Sequence, residues 1–214
     1  MGDSSEDEQR QDSGGIFQSL GSYFSEFETY LRVTRATQII RRYFAMNAFD
    51  GAMTSLGVVI GAYISHITNP ESIINVIIVG GIAMMVSGFS GTYMTESAER
   101  NHSLNELEDA MLVDLEDTIY GRAGRFVSVF AAFVDGSAPF LASIPSVIPF
   151  LLVNLGMISI TNAFILSVVA SLGTLFLLGV YLGRISGGNV FISGAKMVVA
   201  GVTVAILALL LGET

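Results

Sequence analysis

From residue 44 onward the chain alternates long apolar runs with short polar breaks. A run of about 20 apolar residues is what an α-helix needs to cross a hydrocarbon core about 30 Å thick. Phe44 to His66 meets that length with one acid inside it, Asp50, and Asn69-Pro70 supplies the turn that follows. Ile73 to Thr95 meets it again and closes on Glu96 and Glu99. The next stretch, SLNELEDAMLVDLEDTIY, is too acidic to span. It predicts an exposed cytoplasmic helix over 102–120, with Ser103 as N-cap and Glu106 in capping-box register. Phe126 to Met157 is apolar but carries Pro139, Pro145 and Pro149. Drawn straight it would reach about 48 Å at 1.5 Å per residue, so it predicts a kinked helix with a partly exposed end, or a helix followed by a re-entrant piece. Ile160 to Leu182 and Ser193 to Leu211 complete the set. The pattern therefore predicts an all-α integral membrane protein. Its five transmembrane helices form one membrane domain over 35–212, with a short acidic helix between the second and third.

The residues ahead of that domain read differently. Residues 1–15, beginning MGDSSEDEQRQDSG, hold too little apolar surface to offset the entropy of ordering and predict a disordered acidic tail. No apolar core follows a basic start, so they do not form a signal peptide. Over 16–34, Ile16, Leu20, Tyr23, Phe24, Phe27, Tyr30 and Leu31 recur at helical spacing opposite Gln18, Ser25, Glu26 and Glu28, which predicts an amphipathic helix lying on a surface.

Composition agrees with a membrane domain: 51% of residues are hydrophobic and 14% charged, where soluble domains carry about 25% charged. No charge occurs from Gly136 to Gly183. The net charge of −9 is concentrated at the start, where Met1 to Tyr30 hold seven of the 19 acids and one Arg. No basic patch is present to neutralise phosphates, which argues against a nucleic-acid partner. Arg32, Arg35, Arg41 and Arg42 precede the first span, Arg100, Arg122 and Arg125 lie between the second and third, and Arg184 and Lys196 flank the last connection. The opposite connections carry no Lys or Arg. The positive-inside rule then puts the N-terminus in the cytoplasm and the C-terminus on the other side.

The acids within the spans carry the candidate chemistry. A carboxylate at bilayer depth is expensive and is retained where it faces a cavity, a bundle interior or an ion. Asp50 in FDGAMTSLG and Asp135 in FVDGSAP are such residues. Glu96 and Glu99 stand at the cytoplasmic mouth of the second span, and Glu106, Asp109, Asp114 and Asp117 fall three apart in pairs on the acidic helix. Oxygen-rich sets of this kind suit divalent cations, and Met84, Met85 and Met94 add soft thioethers nearby. A solvated acidic face that recruits a soluble partner fits the same residues. Gly57 and Gly61, Ser87 and Gly91, and Gly179 and Gly183 are small pairs that let helices approach closely. His66 and His102 are isolated, and no nucleophile–base arrangement can be assembled, so an enzyme is not expected. Nothing in the sequence calls for a cofactor.

ATQIIRRYFAMNAFDGAMTSLGVVIGA resembles the first helix of the vacuolar iron transporter family, SGFSGTYMTESAER the end of its second, and FVDGSAPFLASIPSVIPFLL its third. The likeness covers most of 35–212. It implies a homodimer of five-helix subunits exchanging Fe²⁺ or a related divalent cation such as Mn²⁺ for protons, with export from the cytoplasm. The family's first-helix aspartate falls on Asp50, which the resemblance makes a membrane metal ligand. The second helix departs: Ser87-Gly88 and Gly91-Thr92 stand where family members commonly have Ser-Met and Gly-Glu, leaving Glu96, one turn farther along, as the nearest carboxylate. Those missing ligands keep two other readings open, a carrier of a different cation and a non-transporting membrane scaffold.

Overall fold

The structure, a computed structural model, describes residues 36–212. The expected acidic tail (1–15) and amphipathic helix (16–34) lie outside the described residues. The described chain comprises five helices: α1 (Ala36–Ile64), α2 (Pro70–Met111), α3 (Ile119–Asn154), α4 (Ile160–Ser186) and α5 (Val190–Gly212). All five are long and apolar enough to cross a membrane.

Local chemistry fixes their ends. Asn69 caps α2 by accepting the Glu71 N–H at 2.9 Å, with Pro70 in the first turn where its missing N–H costs nothing. Ser159 caps α4, and Gly187 ends it in the left-handed region at φ 68°. Asn189 Oδ1 accepts the Phe191 and Ile192 N–H groups at the start of α5.

One expectation is corrected. No separate helix exists over 102–120: α2 runs unbroken to Met111, residues 112–118 form an irregular connection, and α3 begins at Ile119. The change from apolar to acidic sequence after Thr95 changes the solvent a helix can face. It does not break the helix, because no Gly or Pro intervenes before Met111 and the Glu96/Arg100 and His102/Glu106 pairs at i,i+4 favour continuation. The helix stops where Leu112 turns left-handed at φ 53°. There Glu108 accepts the Leu115 N–H at 2.7 Å, and Asp114 accepts the Glu116 N–H at 2.9 Å. Of the two forms expected for the proline-rich run, the single helix is the one present: it has 36 residues, contains all three prolines and is followed by no re-entrant piece. At 1.5 Å per residue α3 is about 54 Å long. Its early part packs beside the polar end of α2, where Gly124 lies against the Arg100 side chain.

The central element is α3, which packs most extensively on α2 and also against α1 and α4. By contrast, α1 and α2 barely touch although they are consecutive. Ala48, Ala52, Leu56 and Ile60 of α1 meet Ala138 and Ala142 of α3 and Leu175 and Leu178 of α4. For helices that lie in lipid, which is as apolar as these side chains, close van der Waals packing rather than water exclusion holds a bundle together. Small residues therefore dominate the contacts. A Cβ on Gly136 would lie 2.6 Å from the Met85 carbonyl oxygen, and one on Gly51 would overlap the Pro139 backbone. Gly179 and Gly183 meet Ser193, Gly194 and Val190 of α5 in the same way, whereas a Cβ on Gly57 or Gly61 would meet nothing. Buried serines add hydrogen bonds across three helices: Ser55 to Ser146 at 3.0 Å, Ser146 to Ser171 at 2.7 Å, and Ser167 Oγ to the Ser146 carbonyl at 2.7 Å.

Overpacking a tight backbone contact costs about 1–3 kcal/mol. Gly51→Ala is therefore expected to lower unfolding stability by that amount in a detergent denaturation experiment. Gly57→Ala, on the open side of the same helix, should match or slightly exceed the parent, and equal effects would contradict the packing described.

Candidate functional site

The polar side chains inside the bundle collect where α1, α2 and α3 meet. Asp135, from the middle of α3, is 3% exposed and points into this junction. Thr92 of α2 donates to its Oδ2 at 2.6 Å, and Asn47 of α1 donates to its Oδ1. The second Asn47 bond, to the Tyr43 carbonyl at 3.3 Å, orients the amide. One turn nearer the polar end, Glu96 of α2 is 7% exposed. Tyr43 Oη donates to its Oε1 at 2.8 Å, and Arg100 donates to its Oε2 at 3.5 Å. Each buried carboxylate thus has a donor on both oxygens, which offsets the desolvation that an unpaired one would suffer. Among the described residues no buried side-chain nitrogen or oxygen lacks a partner.

These two sets bridge a gap. Since α1 and α2 share few direct contacts, the Tyr43 bond to Glu96 and the Asn47–Asp135–Thr92 bridge are what tie them at this level. Farther along, the gap becomes a cleft of about 140 Å³ whose lining includes Gly51, Thr54, Ser55, Gly81, Met84 and Ser143. Gly88 leaves room for the site, since a Cβ there would stand 3.3 Å from Asp135 Oδ2 and 3.0 Å from the Gly136 Cα.

Of the surroundings expected for an acid at this depth, Asp50 does not have the bundle interior. The face of α1 that packs inward carries Ala48, Ala52, Ser55, Leu56 and Val59, and at about 100° per residue Asp50 falls on the opposite side. It is exposed and makes no hydrogen bond or ion pair among the described residues. Met46, one turn before it, shares that face and is 58% exposed.

The remaining candidates do not join them. Glu99 is exposed on α2. Glu106 pairs with His102 at 3.5 Å on the surface, and Asp109 lies farther along the same helix. Asp114 and Asp117 sit in the connection, where Asp114 holds a backbone amide, so the four do not form one helical face. No group of three His, Cys, Asp or Glu residues able to hold a metal ion occurs among the described residues. The donors Tyr43, Asn47, Thr92 and Arg100 were not among the sequence candidates. Asn47 is the one with a visible signal, as an amide three residues from Asp50 in an apolar run.

Compared with known proteins, the chain is 34% identical over 170 residues to the uncharacterized protein MJ0645 of Methanocaldococcus jannaschii, an alignment covering 78% of this chain and 85% of that one. No protein-family model matches the chain, and no solved structure does.

Removing one donor from a buried carboxylate leaves an unsatisfied acceptor at a cost of about 1–3 kcal/mol. Thr92→Val is expected to destabilise the protein by that much. In a double-mutant cycle with Asp135→Asn, a coupling energy of about 0.5–3 kcal/mol should appear. Strict additivity in denaturation experiments would show that the hydroxyl and the carboxylate do not interact.

Proposed function

Starting from the premise that this chain belongs to one family with the uncharacterized protein MJ0645 of Methanocaldococcus jannaschii, we propose that it is an integral membrane carrier. It crosses the bilayer five times and moves a divalent cation, Fe²⁺ or Mn²⁺, out of the cytoplasm in exchange for protons. This is the activity implied by the resemblance to the vacuolar iron transporters. The observation that carries the reading is Asp50: a carboxylate in the apolar part of α1, exposed on the subunit surface and without a partner among the described residues. At bilayer depth an ionised carboxylate demands a cation, a proton or a second polar surface. A transported cation alternating with a proton supplies that demand in both halves of a cycle.

The chemistry divides between the acids. Asp135 and Glu96 have both oxygens occupied by donors and join neighbouring helices in this state. Asp50 has free lone pairs and is the group that exchanges ligands. Met46 offers a thioether on the same face, a softer ligand than oxygen. One subunit supplies too few ligands by itself, which favours a homodimer in which the α1 faces of two copies meet and their Asp50 side chains share the cation. The arginine-rich helix ends then lie in the cytoplasm, with the C-terminus on the other side.

Movement follows from the weak contact between α1 and α2. Opening the cleft requires releasing the Tyr43–Glu96 bond and rearranging the Asn47–Asp135–Thr92 bridge, while the extensive packing of α3 on both helices is kept. A carrier for a different cation would keep the requirement for Asp50 and change only the ion series.

In proteoliposomes with an inside–outside pH difference and a metal-sensitive dye, the parent is expected to carry Fe²⁺ or Mn²⁺. Asp50→Asn should lose at least about 90% of that flux, a tenfold drop corresponding to about 1.4 kcal/mol. Glu71→Gln, an exposed acid at the far end of α2, should retain it. Equal flux through the parent and Asp50→Asn removes Asp50 from the proposed role.

A further inference from the structure

The most acidic stretch of the described chain encloses a pocket without an acidic residue in its lining. Between the polar end of α2 and the start of α3 lies a cavity of about 280 Å³, with Arg100, Asn101 and Ser103 from α2 and Tyr120, Gly121 and Arg125 from α3 among its lining residues. Each guanidinium has five N–H donors and no acceptor. Arg100 uses one on Glu96, and Arg125 uses one on the Glu116 carbonyl at 3.4 Å. Leu104 and Leu107 form the apolar part of the wall.

The start of α3 adds an independent feature. Its N-cap residue, Thr118, makes no side-chain cap bond, because the hydroxyl donates instead to the Leu115 carbonyl at 2.6 Å. The first-turn amides that a cap would have taken are left to another acceptor, and Tyr120 and Gly121 carry two of them at the pocket wall. Glu108 and Asp114 hold backbone amides of the connection, and Glu106 faces His102. Two arginines from different helices, a tyrosine, a serine and an uncapped helix start line one volume. That set of donors suits an anion and offers little to a cation.

We propose that this pocket binds a phosphate group. The ligand is the headgroup of an anionic lipid or a soluble phosphate compound. The height of the site suits the first: Arg125 immediately precedes the apolar run that opens at Phe126, and Arg100 lies five residues past Thr95, where the apolar part of α2 ends. Both guanidinium groups therefore stand at the level of lipid phosphates. That placement rests on the five-span reading above; the phosphate chemistry does not, and neither depends on transport.

The test uses the full chain without added metal, so its outcome is separate from that of the transport experiment. In one arm, phosphatidylglycerol and phosphatidylcholine are titrated into detergent-solubilised protein and the adducts counted by native mass spectrometry. In the other, inorganic phosphate is titrated and binding read calorimetrically. The expected result is preference for phosphatidylglycerol or saturable phosphate binding, weakened about tenfold in Arg125→Gln, the equivalent of one charge-assisted hydrogen bond. Arg125→Lys should recover part of it, and Arg41→Gln, an exposed Arg outside this pocket, should bind like the parent. Lipid preference alone identifies a headgroup, and phosphate binding alone a soluble compound. The proposal is overturned if Arg125→Gln binds both probes as the parent does, or if Arg41→Gln loses as much as Arg125→Gln.

Discussion

A carboxylate placed inside an apolar bundle has to be met by donors from its neighbours, and the arrangement of α1, α2 and α3 follows from how Asp135 is met. Its two oxygens draw Asn47 from one side and Thr92 from the other, so the central helix joins two partners that hardly touch each other. The glycines around it make that geometry possible. Gly88 and Gly136 let α2 and α3 approach at the level of the carboxylate, and Gly51 brings α1 onto the backbone of Pro139, one turn along α3 from Asp135. Pro139 itself has no N–H to return to the Asp135 carbonyl, so this turn of α3 is held more by its neighbours than by its own ladder.

The same logic explains the two overlong helices. α2 and α3 have 42 and 36 residues, more than a hydrocarbon core requires. Their polar ends lie beside one another around a shared pocket rather than standing alone in solvent. The connection between them is drawn in by Glu108 and Asp114 on its amides and by Arg122 and Arg125, which donate to the carbonyls of Asp117 and Glu116. Acids that look like a cation-binding face in sequence are in part the fasteners of a loop.

The number and order of the helices were legible from apolar run lengths, and several ends from Asn69-Pro70, Ser159 and Gly187. The continuity of α2 was not, because hydropathy reports the surroundings of a helix and not its hydrogen-bond ladder. Only Leu112 adopting a left-handed conformation marks the end, and a leucine gives no warning of that. Asp135 stood out as an acid among apolar residues. Its donors did not, since they come from helices 43 and 88 residues away in sequence. Asp50 was equally visible, yet its direction depends on which face of α1 packs inward. That face is made of Ala, Ser and Gly as much as of larger apolar residues, so hydrophobic patterning alone does not distinguish it.

In the proposed function, what separates a carrier from an inert bundle is the difference between the acids. Asp135 and Glu96 are fully engaged, whereas Asp50 makes no hydrogen bond or ion pair among the described residues. The most direct test is equilibrium binding of Fe²⁺, Mn²⁺, Zn²⁺ and Ca²⁺ to the purified full chain and to Asp50→Asn, measured by titration calorimetry. Saturable binding of Fe²⁺ or Mn²⁺ that disappears in Asp50→Asn is the predicted result. Binding of neither ion, or the same isotherm from both proteins, would contradict it.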